Sequence, residues 1–305
     1  MKKVAISLGD INGVGIQLAL QNHKVVSKLC TPIYCINKSL LKKAAKKLKL
    51  KIPKDFTLHK TKGDFKIKPG KVSKKSGQFS YDSFKDAIKL AKSKKVDAIC
   101  TLPINKESWS KAGISYVGHT DMLRDVFKKD AIMMLGCEDM YVALFTEHIP
   151  LKKVASSITY LKLYKFLLDF YKSERPSKVA VLGLNPHAGD NGVLGDEELI
   201  ISKVIKDINK KLKQNIFDGC KVPDIIFSPN ARKNYKYFVA MYHDQGLAPL
   251  KALYFDKSIN VSLNLPILRT SVDHGTAFDI AYKKDNNLSN LSYINAIKKI
   301  VLGKG

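Results

Sequence analysis

The chain has 305 residues, 45% of them hydrophobic, which is enough to bury one large core or two medium ones. No apolar run approaches the roughly 18 residues of a membrane-spanning helix, so we expect no membrane partner. The net charge of +26 suggests nucleic acid, but only four of the 53 basic residues are arginine, whose fork reads phosphates and bases; we therefore expect solvated lysine-rich faces and no nucleic-acid partner.

Apolar runs typical of strands alternate with helical patterns along the chain, which predicts an α/β fold with a mostly parallel sheet. The expected strands are Val4–Leu8, Ile33–Ile36, Val96–Cys100, Ala131–Leu135, Tyr141–Phe145, Val154–Ser157, Lys178–Leu184, Ile225–Ser228, Tyr237–Tyr242 and Asn260–Leu263. After a short first helix, the expected helices are Leu40–Leu48, Tyr81–Lys92, Leu161–Tyr171, Glu197–Leu212, Thr276–Tyr282 and Leu291–Val301. A short loop joins Tyr141–Phe145 to Val154–Ser157, which indicates an antiparallel pair.

The five cysteines are odd in number and form no C-x-x-C pair. Buried free thiols in a reducing cytoplasm are the simplest interpretation. Of the seven histidines, His23 and His59 have polar neighbours and are expected at the surface. The other five stand in short motifs with glycine, aspartate, asparagine or glutamate.

Three of these histidines follow predicted strands. His148 follows Tyr141–Phe145, His187 follows the strand that ends near Leu184, and His243 comes directly after Tyr242. Ligands of open α/β sheets bind beyond the carboxyl ends of strands, and three imidazoles leave open positions on a catalytic metal. The long spacings equally allow independent, hydrogen-bonding histidines, so both interpretations stand at this point.

Two further groups could bind anions. Lys251, Asn260 and Arg269 follow His243, and their cationic and amide side chains suit a phosphate or carboxylate. The loop Gly9–Gly15, between the first strand and its helix, could receive an anion on its backbone amides. Its glycine spacing is not the G-x-G-x-x-G dinucleotide pattern, and a tight turn explains it equally well.

Taken together, the motifs resemble the 4-hydroxythreonine-4-phosphate dehydrogenase family of vitamin B6 biosynthesis. The matching stretches are Leu8–Gly15, Gly118–Asp121, Leu184–Asp190, Tyr242–Gly246, Asn260–Pro266 and Arg269–Ala277. The chain departs from the family pattern at Ile11 and Asn12, and again over residues 228–235. At these two loops, the family's contacts with cofactor or substrate do not transfer directly to this chain.

The resemblance implies two α/β/α domains like those of isocitrate and isopropylmalate dehydrogenases, with the active site in the interdomain cleft at a homodimer interface. The first domain would comprise residues 1–125 plus about 275–305, and the second residues 126–274. It also implies NAD or NADP and one divalent metal (zinc, magnesium, manganese or cobalt).

The resemblance assigns roles to individual residues. His148, His187 and His243 would hold the metal, and the substrate residues would be His119, Thr120, Lys251, Asn260 and Arg269. Gly9, Asp10, Gly13 and Gly15 would contact the cofactor, and Asp244, Asp273 or His274 would take the hydroxyl proton.

The implied reaction is oxidation of 4-phosphooxy-L-threonine to 2-amino-3-oxo-4-phosphooxybutanoate, which decarboxylates to 3-amino-2-oxopropyl phosphate. The alternatives are a paralogous dehydrogenase of another phosphorylated hydroxy acid and a metal-dependent phosphatase that uses the same histidines.

Overall fold

The computed structural model describes residues 1–284 and 287–303. Its strands are β1 (Lys3–Ser7), β2 (Thr31–Cys35), β3 (Leu58–His59), β4 (Ala98–Thr101), β5 (Ile132–Cys137), β6 (Met140–Leu144), β7 (Val179–Leu182), β8 (Phe217–Lys221), β9 (Tyr237–Ala240), β10 (Ile259–Leu263) and β11 (Leu268–Val272). Within these residues, no helix combines the length and the apolar character needed to cross a bilayer.

The α-helices follow the same chain order. They are α1 (Gly15–Leu29), α2 (Lys38–Leu48), α3 (Lys74–Lys92), α4 (Lys106–Lys111), α5 (His119–Phe127), α6 (Val154–Ser157), α7 (Tyr160–Glu174), α8 (Glu197–Leu212), α9 (Pro223–Ile226), α10 (Pro229–Arg232), α11 (His243–Tyr254) and α12 (Leu291–Leu302). The predicted α/β fold is confirmed.

The first compact unit comprises Met1–Lys129, Ile259–Val261 and Leu265–Gly305. Its sheet has the order β3-β2-β1-β4-β11, and each of these neighbouring pairs is parallel. Helix α3 covers β1, and Phe84 of this helix is buried in one core cluster with Trp109 of α4. The strands are buried on both faces, as parallel sheets require.

The second compact unit comprises Asp130–Ser258 and Ser262–Asn264. Strands β5 and β6 form an antiparallel hairpin, and β9 lies between β6 and β7, parallel to both. Strand β8 extends this sheet in parallel from β7. Phe238 of β9 and Leu250 of α11 are fully buried in its core.

Side-chain caps explain where several helices begin. Asn37, Ser73 and Asn105 each accept the backbone N–H of the residue three positions later, at the starts of α2, α3 and α4. Asparagine and serine are preferred there because the first N–H groups of a helix lack intrahelical partners.

Two strand predictions are wrong. Residues Val154–Ser157 form helix α6, in which only Val154 is buried, and the antiparallel partner of β6 is β5. Ile225 lies in helix α9, which Pro223 begins; proline suits the first helical position, where its missing N–H costs nothing. The strand in this region is β8, which the sequence analysis missed because Asp218 and Gly219 interrupt its apolar pattern.

Three further expectations fail. Residues 276–282 form turns instead of a helix, because Ala277 and Tyr282 adopt positive φ angles of 44° and 62°. His23 is buried and not at the surface: its ring nitrogens lie 3.0 Å from the Tyr34 hydroxyl and 3.1 Å from the Asp55 carboxylate. The predicted division placed residues 265–274 in the second domain, whereas β11 belongs to the first unit because it pairs with β4.

The close approach of α3 to α4 depends on Gly77. A Cβ atom at this position would lie 1.9 Å from the Ser108 carbonyl oxygen. Alanine normally stabilises a helix by about 1 kcal/mol over glycine. Here the helices would have to separate, at a cost of roughly 1–3 kcal/mol.

We therefore expect Gly77→Ala to lower the free energy of unfolding by about 2 kcal/mol, opposite in sign to the helix-propensity expectation. Urea unfolding followed by circular dichroism measures this change. Lys75→Ala, at an exposed position of the same helix, is the control and should change stability little. A Gly77→Ala protein as stable as the wild type would contradict the tight α3–α4 contact.

Candidate active site

Parallel strands place the three predicted metal histidines at one edge of the second unit's sheet. Strands β6, β9 and β7 are neighbours, and they are followed by His148, His243 and His187, respectively. The rings of His148 and His243 lie 5.4 Å apart, centroid to centroid. The strand-end placement of the histidines is therefore present in the fold.

Two side chains tie these strand ends together. The Thr146 hydroxyl donates to the carbonyl oxygen of Met241 at 2.6 Å, which joins the His148 loop to the end of β9. Gln245 accepts the Met241 N–H and donates to the Gly183 carbonyl oxygen, both at 2.7 Å, which joins the ends of β9 and β7. Both side chains are buried. The sequence analysis missed them, although Gln245 lies inside the Tyr242–Gly246 motif.

The loop that carries His187 has an unusual backbone. His187, Ala188, Asp190 and Asn191 all have positive φ angles, between 43° and 56°. Buried Glu198 holds the start of this loop by accepting the N–H groups of Leu184 (2.7 Å) and Asn185 (2.8 Å).

Glu198 is a second positioning residue that the sequence analysis missed. Burial raises the pKa of its carboxyl, but the hydrogen bonds from Asn185, with that from Leu184, outweigh burial and leave the pKa below its usual value. The carboxylate therefore stays ionised and continues to accept the N–H groups of Leu184 and Asn185.

The donor set fits a metal in part. His148 and His243 are adjacent, and neutral imidazoles are common ligands of divalent transition metals. Nδ1 of His243 lies 2.7 Å from the Asp244 carboxylate, which leaves Nε2 for a metal and supplies the carboxylate that commonly orients a ligating histidine. In the described part of the chain, however, no three His, Cys, Asp or Glu side chains are grouped closely enough to hold an ion. The three-histidine site stays a prediction.

Arg269 lies in the first unit on β11 and is almost completely buried. Its Nε and Nη2 atoms donate to the Thr101 hydroxyl oxygen at 3.1 and 2.6 Å. Burial lowers the pKa of Arg269 to about 10, so the guanidinium remains cationic at neutral pH. The structure thus holds a positive charge inside this unit, close to the end of β4.

His119 is the first residue of α5 and lies close to this charge. Its ring packs edge-on against Phe84, with centroids 4.6 Å apart, and against Trp109 at 5.8 Å. Burial and the positive charge of Arg269 hold the pKa of His119 well below its usual value. A neutral imidazole and the N–H groups of Thr120 and its neighbours at the start of α5 are suited to an anionic ligand.

Three predicted site residues have a buried polar atom without a hydrogen-bond partner: Nε2 of His119, Oδ1 of Asn260 and Nε2 of His274. Nδ1 of His274, by contrast, lies 3.0 Å from the Gly275 carbonyl oxygen. Buried polar atoms are nearly always paired, so each exception needs an explanation. A bound ligand is an explanation that fits all three.

The loop of residues 9–15 is buried and tightly packed. A Cβ on Gly9 would lie 2.1 Å from the Pro103 carbonyl oxygen, and one on Gly13 would lie 2.7 Å from that of Thr276. The buried Asp10 carboxylate accepts the Asn12 N–H and the Ser76 hydroxyl; burial raises its pKa more than these bonds lower it. Packing explains Gly9 and Gly13, and the cofactor contacts of this loop, including Gly15, stay a prediction.

The departures from the family pattern have local explanations. Asn12 donates to the Lys71 carbonyl oxygen at 2.7 Å and accepts the Lys68 N–H at 2.9 Å, so it fastens the 68–71 segment to the loop. Residues 228–235 form helix α10 and the turn after it, and the Tyr235 hydroxyl donates to Asp218.

The remaining predicted residues are divided between the two units. Lys251 and Asp244 lie on α11 in the second unit, and the Lys251 ammonium is 5.3 Å from the Phe255 ring centroid. Asp273 lies in the first unit, where its N–H donates to the Ser292 hydroxyl. The roles assigned to all these residues stay predictions.

The chain is an α/β protein in which histidines follow three strands of the second unit and a buried arginine lies on a strand of the first. The family model of the pyridoxal phosphate biosynthetic protein PdxA matches residues 28–300. The chain therefore belongs to the PdxA family, and it is an enzyme of the dehydrogenase class.

Several relatives carry the name 4-hydroxythreonine-4-phosphate dehydrogenase. One from Sulfurimonas denitrificans is 63% identical, covering 99% of this chain and 98% of the relative. One from Campylobacter fetus is 56% identical, covering 98% and 97%. A crystal structure of such an enzyme from Burkholderia phymatum is 29% identical with a TM-score of 0.80, covering 99% of this chain and 98% of that one.

The neutral state of His119 predicts a pH dependence of stability. Histidine in an unfolded chain has a pKa of about 6.5, so the unfolded chain takes up a proton near that pH, whereas folded His119 does not. Its contribution to stability is therefore complete above about pH 6.5 and is lost as the pH falls.

Between about pH 7.5 and 5.5 we expect the wild type to lose roughly 1 kcal/mol more unfolding free energy than His119→Gln. Urea titrations at several pH values measure the difference. His59→Gln is the control for loss of a histidine outside this cluster. Parallel pH profiles for wild type and His119→Gln would contradict a neutral His119.

Proposed function

We propose that this enzyme oxidises the C3 hydroxyl of 4-phosphooxy-L-threonine, with NAD+ or NADP+ as oxidant and a divalent metal as cofactor. The product is 2-amino-3-oxo-4-phosphooxybutanoate, a 3-oxo acid that loses CO2 to give 3-amino-2-oxopropyl phosphate. This reaction belongs to the biosynthesis of pyridoxal phosphate. The observation that supports this proposal most strongly is the full-length similarity to a 63% identical relative named 4-hydroxythreonine-4-phosphate dehydrogenase.

The phosphate end of the substrate suits the residues of the first unit. Arg269 supplies a buried positive charge, and His119 supplies a ring nitrogen that has no other partner. Thr120 adds a hydroxyl in the first turn of α5, and Asn260 adds an amide. Lys251 supplies a second cation for the substrate's anionic groups. Together they hold C3 in one orientation, which removes much of the entropic part of the barrier.

His148, His187 and His243 would hold the metal, and residues 9–15 would contact the dinucleotide. When bound, the nicotinamide supplies the oxidising power, and the metal supplies a Lewis acid beside the oxygen at C3. The metal would be zinc, magnesium, manganese or cobalt.

Oxidation transfers the hydrogen on C3 as hydride to NAD+ or NADP+, and the hydroxyl proton has to leave before this transfer or together with it. Asp244, Asp273 and His274 are the candidate bases. His274 has a buried Nε2 without a partner, and Asp244 lies beside His243. A base within hydrogen-bond reach of the hydroxyl contributes on the order of 10²–10⁴ in rate.

We also propose a homodimer with the active site completed at its interface. Exposed apolar side chains follow His148 closely in sequence: Ile149, Leu151 and Leu161. A second copy of the chain would remove them from water.

The five free cysteines suit a reducing cytoplasm.

The decisive assay is 4-phosphooxy-L-threonine with NAD+ and with NADP+, read at the absorbance band of the reduced nicotinamide. We expect reduced cofactor to form with at least one of them. Phosphate release without reduced cofactor would instead favour the metal-dependent phosphatase. Turnover only with another phosphorylated hydroxy acid would favour the paralogous dehydrogenase.

The metal assignment predicts the effect of His187→Ala. Loss of a ligand should reduce both bound metal and turnover by more than about a hundredfold while the fold is retained. Metal content is measured by atomic absorption and the fold by circular dichroism, with His59→Ala as the control. Equal activity of wild type and variant after chelation and return of metal would rule out the assignment.

A further inference from the structure

Two aromatic side chains hold the imidazole of His119. Its ring meets that of Phe84 on α3 at 4.6 Å between centroids and an interplanar angle of 81°, and that of Trp109 on α4 at 5.8 Å and 78°. Both contacts have the edge-to-face geometry that aromatic rings prefer. Phe84 and Trp109 are fully buried, so the rings that hold the imidazole are themselves fixed by close packing.

A buried hydrogen bond fixes the Trp109 ring in addition. Its Nε1–H donates to the Ser80 hydroxyl oxygen at 2.6 Å, and that hydroxyl donates to the Gly77 carbonyl oxygen at 2.9 Å. Gly77, Ser80 and Phe84 are spaced at i, i+3 and i+7 along α3, which places them on one face of the helix. The face of α3 that packs tightly against α4 therefore also supports both rings around His119.

The start of α5 is open beside this imidazole. Gly118 stands at the N-cap position, where it offers no side-chain cap, and a Cβ atom on it would meet no described atom within 4 Å beyond its own chain neighbours. Nε2 of His119 is buried and has no hydrogen-bond partner among the described residues. The first N–H groups of a helix need acceptors, and a buried imidazole nitrogen needs a partner. One anion at this point would serve both.

The orientation of a neutral imidazole decides whether it can bind such an anion. A hydrogen bond weakens steeply when its angle falls below about 120°, so an imidazole that turns freely would meet an anion in the wrong direction for most of the time. Since Nε2 has no partner to hold it, the direction of the His119 ring depends on its packing against Phe84 and Trp109.

We propose that Phe84 and Trp109 are positioning residues for the substrate's phosphate: they hold the His119 imidazole at the open start of α5, where the imidazole and the backbone N–H groups meet the same phosphate. This inference rests on the proposed function, in which His119 binds the phosphorylated substrate. Both aromatic rings act through His119 and do not themselves bind the substrate.

The same helix provides a matched control. Phe79 is 1% exposed, and its ring packs edge-on against Phe65 with centroids 6.3 Å apart. It lies five positions before Phe84, so it projects from α3 about 140° away around the helix axis. Phe79→Leu therefore removes a buried aromatic ring from α3, as Phe84→Leu does, but leaves the ring contacts of His119 in place.

The kinetic test compares Phe84→Leu, Trp109→Phe and Phe79→Leu in the metal-loaded enzyme, with the nicotinamide cofactor that supports turnover. We expect Phe84→Leu to raise KM for 4-phosphooxy-L-threonine about tenfold and to change kcat by less than about threefold, because uniform binding is lost. Trp109→Phe keeps an aromatic ring and should raise KM by less than about threefold. Phe79→Leu should lower the melting temperature as Phe84→Leu does, but leave KM unchanged.

A double-mutant cycle shows whether Phe84 acts through His119. In a His119→Gln background we expect Phe84→Leu to change KM by less than about twofold, because the imidazole that Phe84 orients is gone. A merely structural role of Phe84 would instead raise KM by the same factor in both backgrounds.

A second readout does not need catalysis. The chain has one tryptophan, so a ¹⁵N spectrum contains a single indole N–H signal, that of Trp109. We expect inorganic phosphate to shift this signal in wild type and in Phe79→Leu, because the bound anion changes the surroundings of the imidazole against which the indole packs. The shift should be absent in His119→Gln.

The outcomes separate the inference from the proposed function. A wild type without dehydrogenase activity overturns the proposed function, and the indole spectra with inorganic phosphate then decide the inference. Unchanged KM in Phe84→Leu, an equal rise in Phe79→Leu, or additive effects of Phe84→Leu and His119→Gln overturns the inference. If Phe84→Leu does not fold, a phosphate-dependent indole shift that His119→Gln abolishes supports the inference. No shift in wild type, or a shift that His119→Gln retains, overturns it.

Discussion

The parallel pairing of β9 with β6 and β7 is the constraint on which the second unit's site depends. Neighbouring parallel strands run about 4.8 Å apart and end at the same edge, so the residues that follow them are neighbours whatever their sequence separation. The ring centroids of His148 and His243 lie 5.4 Å apart for this reason. The buried side chains of Thr146 and Gln245 then fix the strand ends with hydrogen bonds to backbone groups.

In the first unit the corresponding constraint is electrostatic. The buried guanidinium of Arg269 donates from Nε and Nη2 to the Thr101 hydroxyl oxygen, which offsets part of the cost of burying its charge. That charge then influences the protonation of neighbouring His119. His119 remains neutral because burial and Arg269 both disfavour its protonated form. The ring is held by contacts with Phe84 and Trp109 rather than by an ion pair. The folded chain therefore already contains the positive charge of Arg269, the neutral imidazole of His119 and the start of helix α5.

The sequence predicted the strands and helices correctly where the spacing of apolar residues matches the positions that are buried in the structure. It failed where apolar residues are too few or are interrupted by polar ones. Strand β9 and helix α8 repeat apolar residues at the spacing their structure requires. Val154–Ser157 contains too few apolar residues to distinguish a strand from a turn of helix, and β8 is interrupted by polar residues. The hydrogen bond from Arg269 to Thr101 could not be predicted from sequence, because it depends on the register of β4 with β11, which no local pattern encodes.

The two units differ in how far their site residues are fixed. Thr101 and the aromatic rings hold Arg269 and His119 in place, which suits a ligand that meets its partners preformed. His187 is exposed and lies in a run of left-handed residues, each of which costs about 1–2 kcal/mol when it is not glycine. Such a backbone persists only when its surroundings hold it, and Glu198 anchors its start. If His187 holds a metal, as proposed, it does so from a strained and exposed loop, whereas an anion proposed to bind Arg269 and His119 would meet side chains that are already held in place.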